Sequence, residues 1–414
     1  MSTRRRMVKK FNGLSPSLKI YFIILALSAL GLGMSSSFIT NYFKDAYDIS
    51  TLQRGVIEFP RELPGVFALF VIGFLSGFSD IKIALIAQSL TVFGLLVLGV
   101  MTPPFEIMLI FLFINSMGMH MGMPLRDSIG MGLIDSRNTG KRMGQFKGVY
   151  TGFTMVAAVI VFLGFRLNIF TYKTEVKSIF LIAVGFLVGV IGLYFLLLKT
   201  VDHKIQSRKK VKFIFRKEYK YYYILTVMLG VQKQIMLVYG PWVLIKMLDK
   251  GPDTMAILSI IGGFIGIFFI PALGRWTDRF GVKTILYADA LSYIGIYVLY
   301  GLMAYGFASG SLPGVGLPVF IAYTMFILDK MSNQIGMIRT IYLRSILVEP
   351  GDLTPTLSMG LSLDHVVSIL CAFLAAIVWE QWGPQYIFFL AASLSFVNLY
   401  VARKVEIPEE MLSI

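Results

Sequence analysis

Residues 115–128 read NSMGMHMGMPLRDS, and residues 333–346 read NQIGMIRTIYLRSI. Five letters recur in them at the same spacings. Asn115, Gly118, Met119, Leu125 and Arg126 in the first stretch match Asn333, Gly336, Met337, Leu343 and Arg344 in the second. Both stretches lie in long apolar runs, so the match marks an internal repeat of membrane-type segments.

The composition agrees. Of 414 residues, 56% are apolar and 15% charged, with a mean hydropathy of +0.75. Soluble domains average about 45–50% apolar and about 25% charged residues. Apolar runs of crossing length fall near residues 19–42, 57–78, 82–101, 104–125, 146–165 and 177–198. After a polar break they resume near 221–247, 254–273, 283–306, 317–345, 356–379 and 385–402. This predicts an all-α membrane protein of about twelve helices in two pseudo-symmetric sets of six. The expected divisions are a basic N-terminus (1–18), a first bundle (19–198), a basic central loop (199–220), a second bundle (221–403) and a tail (404–414).

The net charge of +15 is distributed between spans. Lys and Arg crowd the N-terminus, the loop at Arg137, Lys141 and Arg142, the central loop, and the loop at Arg275, Arg279 and Lys283. The alternate loops MTPPFE and ASGSLPGVG have none. Both termini and the central loop are therefore expected to be cytoplasmic, with no cleaved signal peptide and no nucleic-acid partner. Phe213, Ile214 and Phe215 among the central lysines suggest contact with the inner leaflet. The single cysteine, Cys371, excludes an intramolecular disulfide.

GRWTDRFGVK, residues 274–283, carries Gly274, Asp278, Arg279, Gly281 and Lys283. It resembles the cytoplasmic loop motif of the major facilitator superfamily, and GKRMG before the fifth span is also similar to that family's pattern. The resemblance covers the whole topology. It implies two six-helix halves that rock about a central site lined by the first, fourth, seventh and tenth spans. In the loop, Gly274 is expected to let helices approach, and Asp278 and Arg279 to form a breakable charge lock. The first repeat departs from the motif: GFLSGFSDIK keeps Gly77 and Asp80 but lacks Asp-Arg-x-Gly. The family's antiporter-type Gly-Pro motif is also missing from the fifth span.

Ionisable groups inside a membrane are costly, so each is a functional candidate. In the tenth span Asp329, Asn333, Gly336 and Thr340 form one helical stripe, with Lys330, Gln334 and Tyr323 beside it. In the seventh, Lys233 sits near mid-depth with Gln232, Gln234, Met236 and Tyr239, ahead of the helix-bending Pro241. The second span opens with Arg54, Glu58, Arg61 and Glu62, spaced for local pairing near the outer surface. In the eleventh, Asp364 and His365 are adjacent, about 100° apart on a helix, so they are not expected to act on one bound ion, and either could carry a proton.

The fourth span divides on a helical wheel. Gly118 and Gly122 share one face, suited to close packing. Ser116, His120 and Asp127 lie opposite, and Pro124 frees the His120 carbonyl. Met117, His120 and Met123 raise a copper(I) alternative, against cavity lining or plain methionine packing.

The function expected is secondary active transport of a small polar organic solute, an anion by preference. Lys233, Gln232, Asn333, Lys330, Gln334, Asn115, His120 and Tyr239 are the candidate binding residues. Asp329, Asp364 and His365 are candidate proton carriers. Glu58, Arg61, Glu62, Asp127, Arg126, Arg344 and Arg339 are candidate gate or structural residues. A copper(I) importer, an amphiphile exporter and a non-transporting receptor are the rivals. No nucleotide-binding loop or catalytic triad is present, so an enzyme is not expected, nor is a cofactor. A monomer in the plasma or inner membrane is expected, with H+ as coupling ion.

Overall fold

The computed structural model describes residues 14–75, 77–134, 139–201, 215–349 and 352–405. The N-terminal basic cluster, Arg137, most of the central loop including Phe213 and Ile214, and the end of the tail lie outside them. Among the described residues there is no strand. The helices are α1 (Pro16–Tyr47), α2 (Thr51–Phe74), α3 (Asp80–Val100), α4 (Phe105–Gly132), α5 (Thr139–Arg166) and α6 (Ser178–Thr200). Then come α7 (Lys220–Trp242), α8 (Pro252–Ser309), α9 (Leu317–Ile335), α10 (Ile338–Ser345), α11 (Leu353–Trp382) and α12 (Pro384–Lys404).

Nine helical segments among the described residues are long and apolar enough to cross a membrane. The 58 residues of α8 suffice for two crossings at about 20 residues each. Gly281 divides α8 by leaving helical geometry at φ +79° and ψ 159°, a conformation open essentially to glycine. Within the loop motif this glycine has the conformational role. Gly274, expected to serve close approach, would meet nothing within 4 Å if given a Cβ.

The tenth predicted span is broken. It runs as α9 and then α10, because the backbone tightens between them. The N–H groups of Gly336, Met337 and Arg339 bond three residues back, to Asn333, Gln334 and Gly336. At the end of α7, past Pro241, a π-helical turn covers Val243–Met247.

The chain forms two compact units. The first comprises Met1–Ala46 with Phe67–Lys209, and the second Tyr47–Val66 with Lys210–Ile414. The first part of α2 thus packs with the second unit, where the sequence assigns it to the first bundle. Its polar contacts explain this. Trp242 Nε1 donates to Thr51 Oγ1 at 3.2 Å, and the Leu52 N–H donates to Glu380 at 2.9 Å.

In the first unit, α3 and α4 are in close contact along a buried stripe of Ala84, Ala87, Thr91 and Gly94. Asn115 Nδ2 donates to the Thr91 carbonyl at 2.8 Å. A Cβ on Gly118 would lie 2.5 Å from Thr91 N and closer still to the Ala87 carbonyl. Gly122, predicted to share this packing role, would meet open space. Tyr21, Ile24, Leu25, Met121, Leu125 and Phe146 continue the core. At the start of α6 the buried Lys177 donates to the Met101 carbonyl (3.2 Å), Thr102 Oγ1 (2.8 Å) and the Glu175 carbonyl (2.8 Å).

The second unit has its own core, with Tyr219, Leu225, Leu273, Leu286, Ile338 and Val401 among its buried members. Within it, Gly301 of α8 meets Phe389 of α12, and Tyr300 packs edge-on against Phe388 at 4.9 Å.

Candidate functional site

The second unit has six buried acidic residues among those described: Glu58, Glu62, Asp289, Asp329, Asp352 and Asp364. A charge in such surroundings needs a partner. Glu58 Oε1 receives Arg54 Nη1 at 2.5 Å and Arg61 Nη1 at 2.6 Å, and its Oε2 receives Gln234 Nε2 at 3.1 Å. Glu62 makes its hydrogen bond elsewhere, although its charge also acts on Arg61. Its Oε2 lies 2.8 Å from His365 Nδ1, and the His365 ring lies flat on Gly65, where a Cβ would be 2.6 Å from three ring atoms. Asp364 pairs with Lys233. Asp364 and His365 thus serve separate partners on α7 and α2. Asp289 pairs with Arg339 at 2.6 Å, both all but fully buried.

Asp329 differs from all of these. Its Oδ1 receives the Tyr297 hydroxyl at 3.2 Å, and its Oδ2 receives Asn333 Nδ2 at 2.9 Å. Both donors are neutral. Lys330, the next residue, directs its ammonium to Ser259 Oγ at 3.3 Å and over the Phe326 ring at 5.1 Å. Asp329 and Asn333 of the stripe read from the sequence therefore pack against α8, whereas Gly336 faces Leu229 of α7 and Thr340 is exposed.

Gln232 is fully buried and bonded at three points. Its Nε2 donates to Ser395 Oγ (2.7 Å), its Oε1 accepts from Asn398 (3.1 Å), and its carbonyl accepts from Tyr297 (2.7 Å). Tyr239 is buried and donates to the Ala372 carbonyl. Gln334 is exposed. Lys233 and Arg339 are thus paired with carboxylates, and Lys330 is held by a hydroxyl.

In the first unit, Asn115 is a buried packing contact. His120 is partly buried, with Nδ1 3.1 Å from Ser116 Oγ and 3.0 Å from the Ser116 carbonyl. Met117 is partly buried, while Met123 and Asp127 are exposed. The Arg126 guanidinium stacks over Tyr150 at 4.6 Å, and its carbonyl accepts from Tyr21. Arg344, Asp278 and Arg279 are exposed, and Arg279 lies over the Phe280 ring at 5.2 Å.

The sequence reading passed over the stretch DALSYIGIYVLY, residues 289–300. Asp289, Tyr293 and Tyr297 recur every four residues, with Tyr300 three further on, and all four are buried. Tyr293 donates to Asn333 Oδ1 at 3.2 Å, and Tyr300 to the Gly240 carbonyl at 2.7 Å. The same wheel that found the tenth-span stripe would have found this one. Tyrosine reads as an apolar letter, and that hid it.

Near the start of α11 a further cluster lies outside the apolar spans. Arg216 Nε is 2.6 Å from Asp352 Oδ2, and Arg216 Nη2 is 2.7 Å from Glu349. The Tyr219 hydroxyl donates to Asp352 at 2.7 Å. These contacts, Tyr219 first and then Arg216, hold the Asp352 pKa below the ordinary aspartate value. A carboxylate with a depressed folded pKa stabilises the fold above its unfolded pKa of about 4, and loses that contribution as pH falls through the folded value. Asp352→Asn is accordingly expected to flatten the acid limb of a melting-temperature profile and to leave the neutral limb parallel. An unchanged acid limb would mean that the cluster does not contribute.

The sequence profile described as Major Facilitator Superfamily matches residues 21–348. No curated protein matches the chain. Among solved structures, the nucleoside transporter NupG is similar at 15% identity and a TM-score of 0.73, covering 94% of this chain and 99% of its own. An auto-inhibited POT family peptide transporter has a TM-score of 0.76 at 9% identity, covering 95% and 98%. A D-xylose–proton symporter has a TM-score of 0.67 at 13% identity, covering 94% and 97%. At these identities the likeness is one of fold.

Proposed function

The chain belongs to the major facilitator superfamily, and from that premise we propose that it is a proton-coupled secondary transporter of a small polar, anionic organic solute. One observation carries the proton reading. Of the six buried acids in the second unit, Asp329 alone is hydrogen-bonded by no Arg, Lys or His side chain among the described residues; its donors are a hydroxyl and an amide. A carboxyl with a cationic partner must break an ion pair to take a proton. Asp329 need only rearrange two hydrogen bonds. Lys330 supports the anion reading, because its ammonium bonds a hydroxyl and not a carboxylate. Alternating access by the two repeats would carry the solute and proton together. The D-xylose–proton symporter among the similar folds is compatible with such coupling and does not identify the solute.

The test uses purified protein in liposomes loaded with a pH-sensitive dye. A panel of small organic acids and uncharged polar solutes is added outside. The expected result is that at least one acid drives proton entry, and that Asp329→Asn abolishes this entry while retaining exchange of the same acid across the membrane. Proton entry that survives the substitution would overturn the assignment.

A further inference from the structure

Tyr297 has one O–H and two acceptors. Its hydroxyl oxygen is 2.7 Å from the Gln232 carbonyl on α7 and 3.2 Å from Asp329 Oδ1 on α9. A single proton cannot make a good bond to both. We propose that Tyr297 is a positioning residue that transmits the protonation state of Asp329 to α7. This rests on the reading of Asp329 as the proton carrier.

The two distances define two arrangements. With a proton on Asp329 Oδ1, the carboxyl O–H donates to the Tyr297 oxygen, and the Tyr297 O–H donates to the Gln232 carbonyl at the shorter distance. When the proton leaves, Oδ1 becomes the stronger acceptor, since bonds to ionised groups are roughly twice as strong as neutral ones. The Tyr297 O–H then turns to Asp329, and the Gln232 carbonyl loses the Tyr297 donor. No bond other than the carboxyl O–H is made or broken, and the proton comes from and returns to water.

The effect is delivered to a defined place. The Gln232 side chain is fixed on α12 by Ser395 and Asn398, so the change falls on the backbone there. The next residue is Lys233, whose ammonium holds Asp364 on α11. A change at the Gln232 carbonyl is thus one peptide from the ion pair that ties α7 to α11. Few other groups compete. Around Asp329 the charged or titratable neighbours are Lys330 on its own helix and Tyr293, Tyr297 and Tyr300 on α8. The Asp289–Arg339 pair lies beyond Tyr293. Facing Tyr297 are Asp329, Tyr293 and Cys371.

Tyr300 supplies the control. It stands one turn along the same helix, is also fully buried, and also donates to an α7 carbonyl, that of Gly240, at 2.7 Å. Among the described residues its hydroxyl makes no hydrogen bond to a carboxylate. Tyr297→Phe and Tyr300→Phe each delete one α8 hydroxyl that donates to an α7 carbonyl, and only the first deletes the link to Asp329.

In liposomes, Tyr297→Phe is expected to lower proton entry per solute transported by on the order of tenfold, matching the loss of one bond to a charged group, with solute exchange retained. Tyr300→Phe is expected to leave that ratio unchanged. Equal loss of both activities in Tyr297→Phe, or the same change of ratio in Tyr300→Phe, would overturn the proposal and assign Tyr297 to packing. If Asp329→Asn leaves coupling intact, the underlying reading fails first, whatever Tyr297→Phe does. Should Tyr297→Phe not fold, pH-difference infrared spectra of the wild type decide. The tyrosine C–O band must change with the carboxyl band that Asp329→Asn removes, and independent titration of the two would refute the link.

Discussion

Replacing Glu58 with Ala is expected to lower stability by about 3–5 kcal/mol, the range for breaking a buried ion pair from one side. Glu58 is fully buried and receives two guanidinium groups on one oxygen and the Gln234 amide on the other. Without it, Arg54 and Arg61 face each other with no shared counter-charge from that position. The two arginines are not equivalent. The Arg54 side chain is 1% exposed and the Arg61 side chain 27%. Arg61 can therefore turn outward when its partner is removed, and Arg61→Ala should cost far less than Glu58→Ala. Glu58→Ala combined with Arg54→Met should recover part of the loss, because it removes the stranded charge while keeping volume. Thermal unfolding of detergent-solubilised protein measures all three. Glu58→Ala melting with the wild type would show that the cluster contributes nothing net.

The second large effect is expected at Gly118. A Cβ there would overlap the backbone of Ala87 and Thr91, which cannot swing aside as a side chain would. Gly118→Ala is expected to cost about 1–3 kcal/mol through overpacking of α3 on α4. Gly122→Ala, one helical turn away and facing open space, should be neutral or stabilising by about 0.5–1 kcal/mol through helix propensity. The pair is an internal comparison. Both substitutions add one methyl to the same helix, and only their surroundings differ. Yield of folded protein and melting temperature, measured side by side, should separate them. A Gly118→Ala variant as stable as Gly122→Ala would refute the close contact.

These two cases also mark where the sequence was legible. Apolar run lengths located the long apolar helices, because run length depends on spacing along the chain. The wheel placed Gly118 and Gly122 on one face. It could not say that α3 approaches only the first, since that depends on where a second helix lies. The stripe through Asp329 and Asn333 was likewise visible, but its partner on α8 was not. An Asp in the membrane announces a need for a donor without naming it. Lys233 and Asp364 were each singled out, and 131 positions of chain separate them. Asp48 and Asp249, both with positive φ just after their helices, show the reverse limit. Glycine is the usual residue for that geometry, so nothing in the letters pointed to them.

Lys177 has a consequence of another kind. Its ammonium is surrounded by two carbonyl oxygens and a hydroxyl, the oxygen set that a dissolved sodium or potassium ion would seek. A free ion in that nest would come and go with the salt outside. This one is tethered to the backbone that forms the nest, so its local concentration is set by chain length and not by the medium. The corner joining the end of α3 to the start of α6 therefore keeps its cation in fresh water and in brine alike.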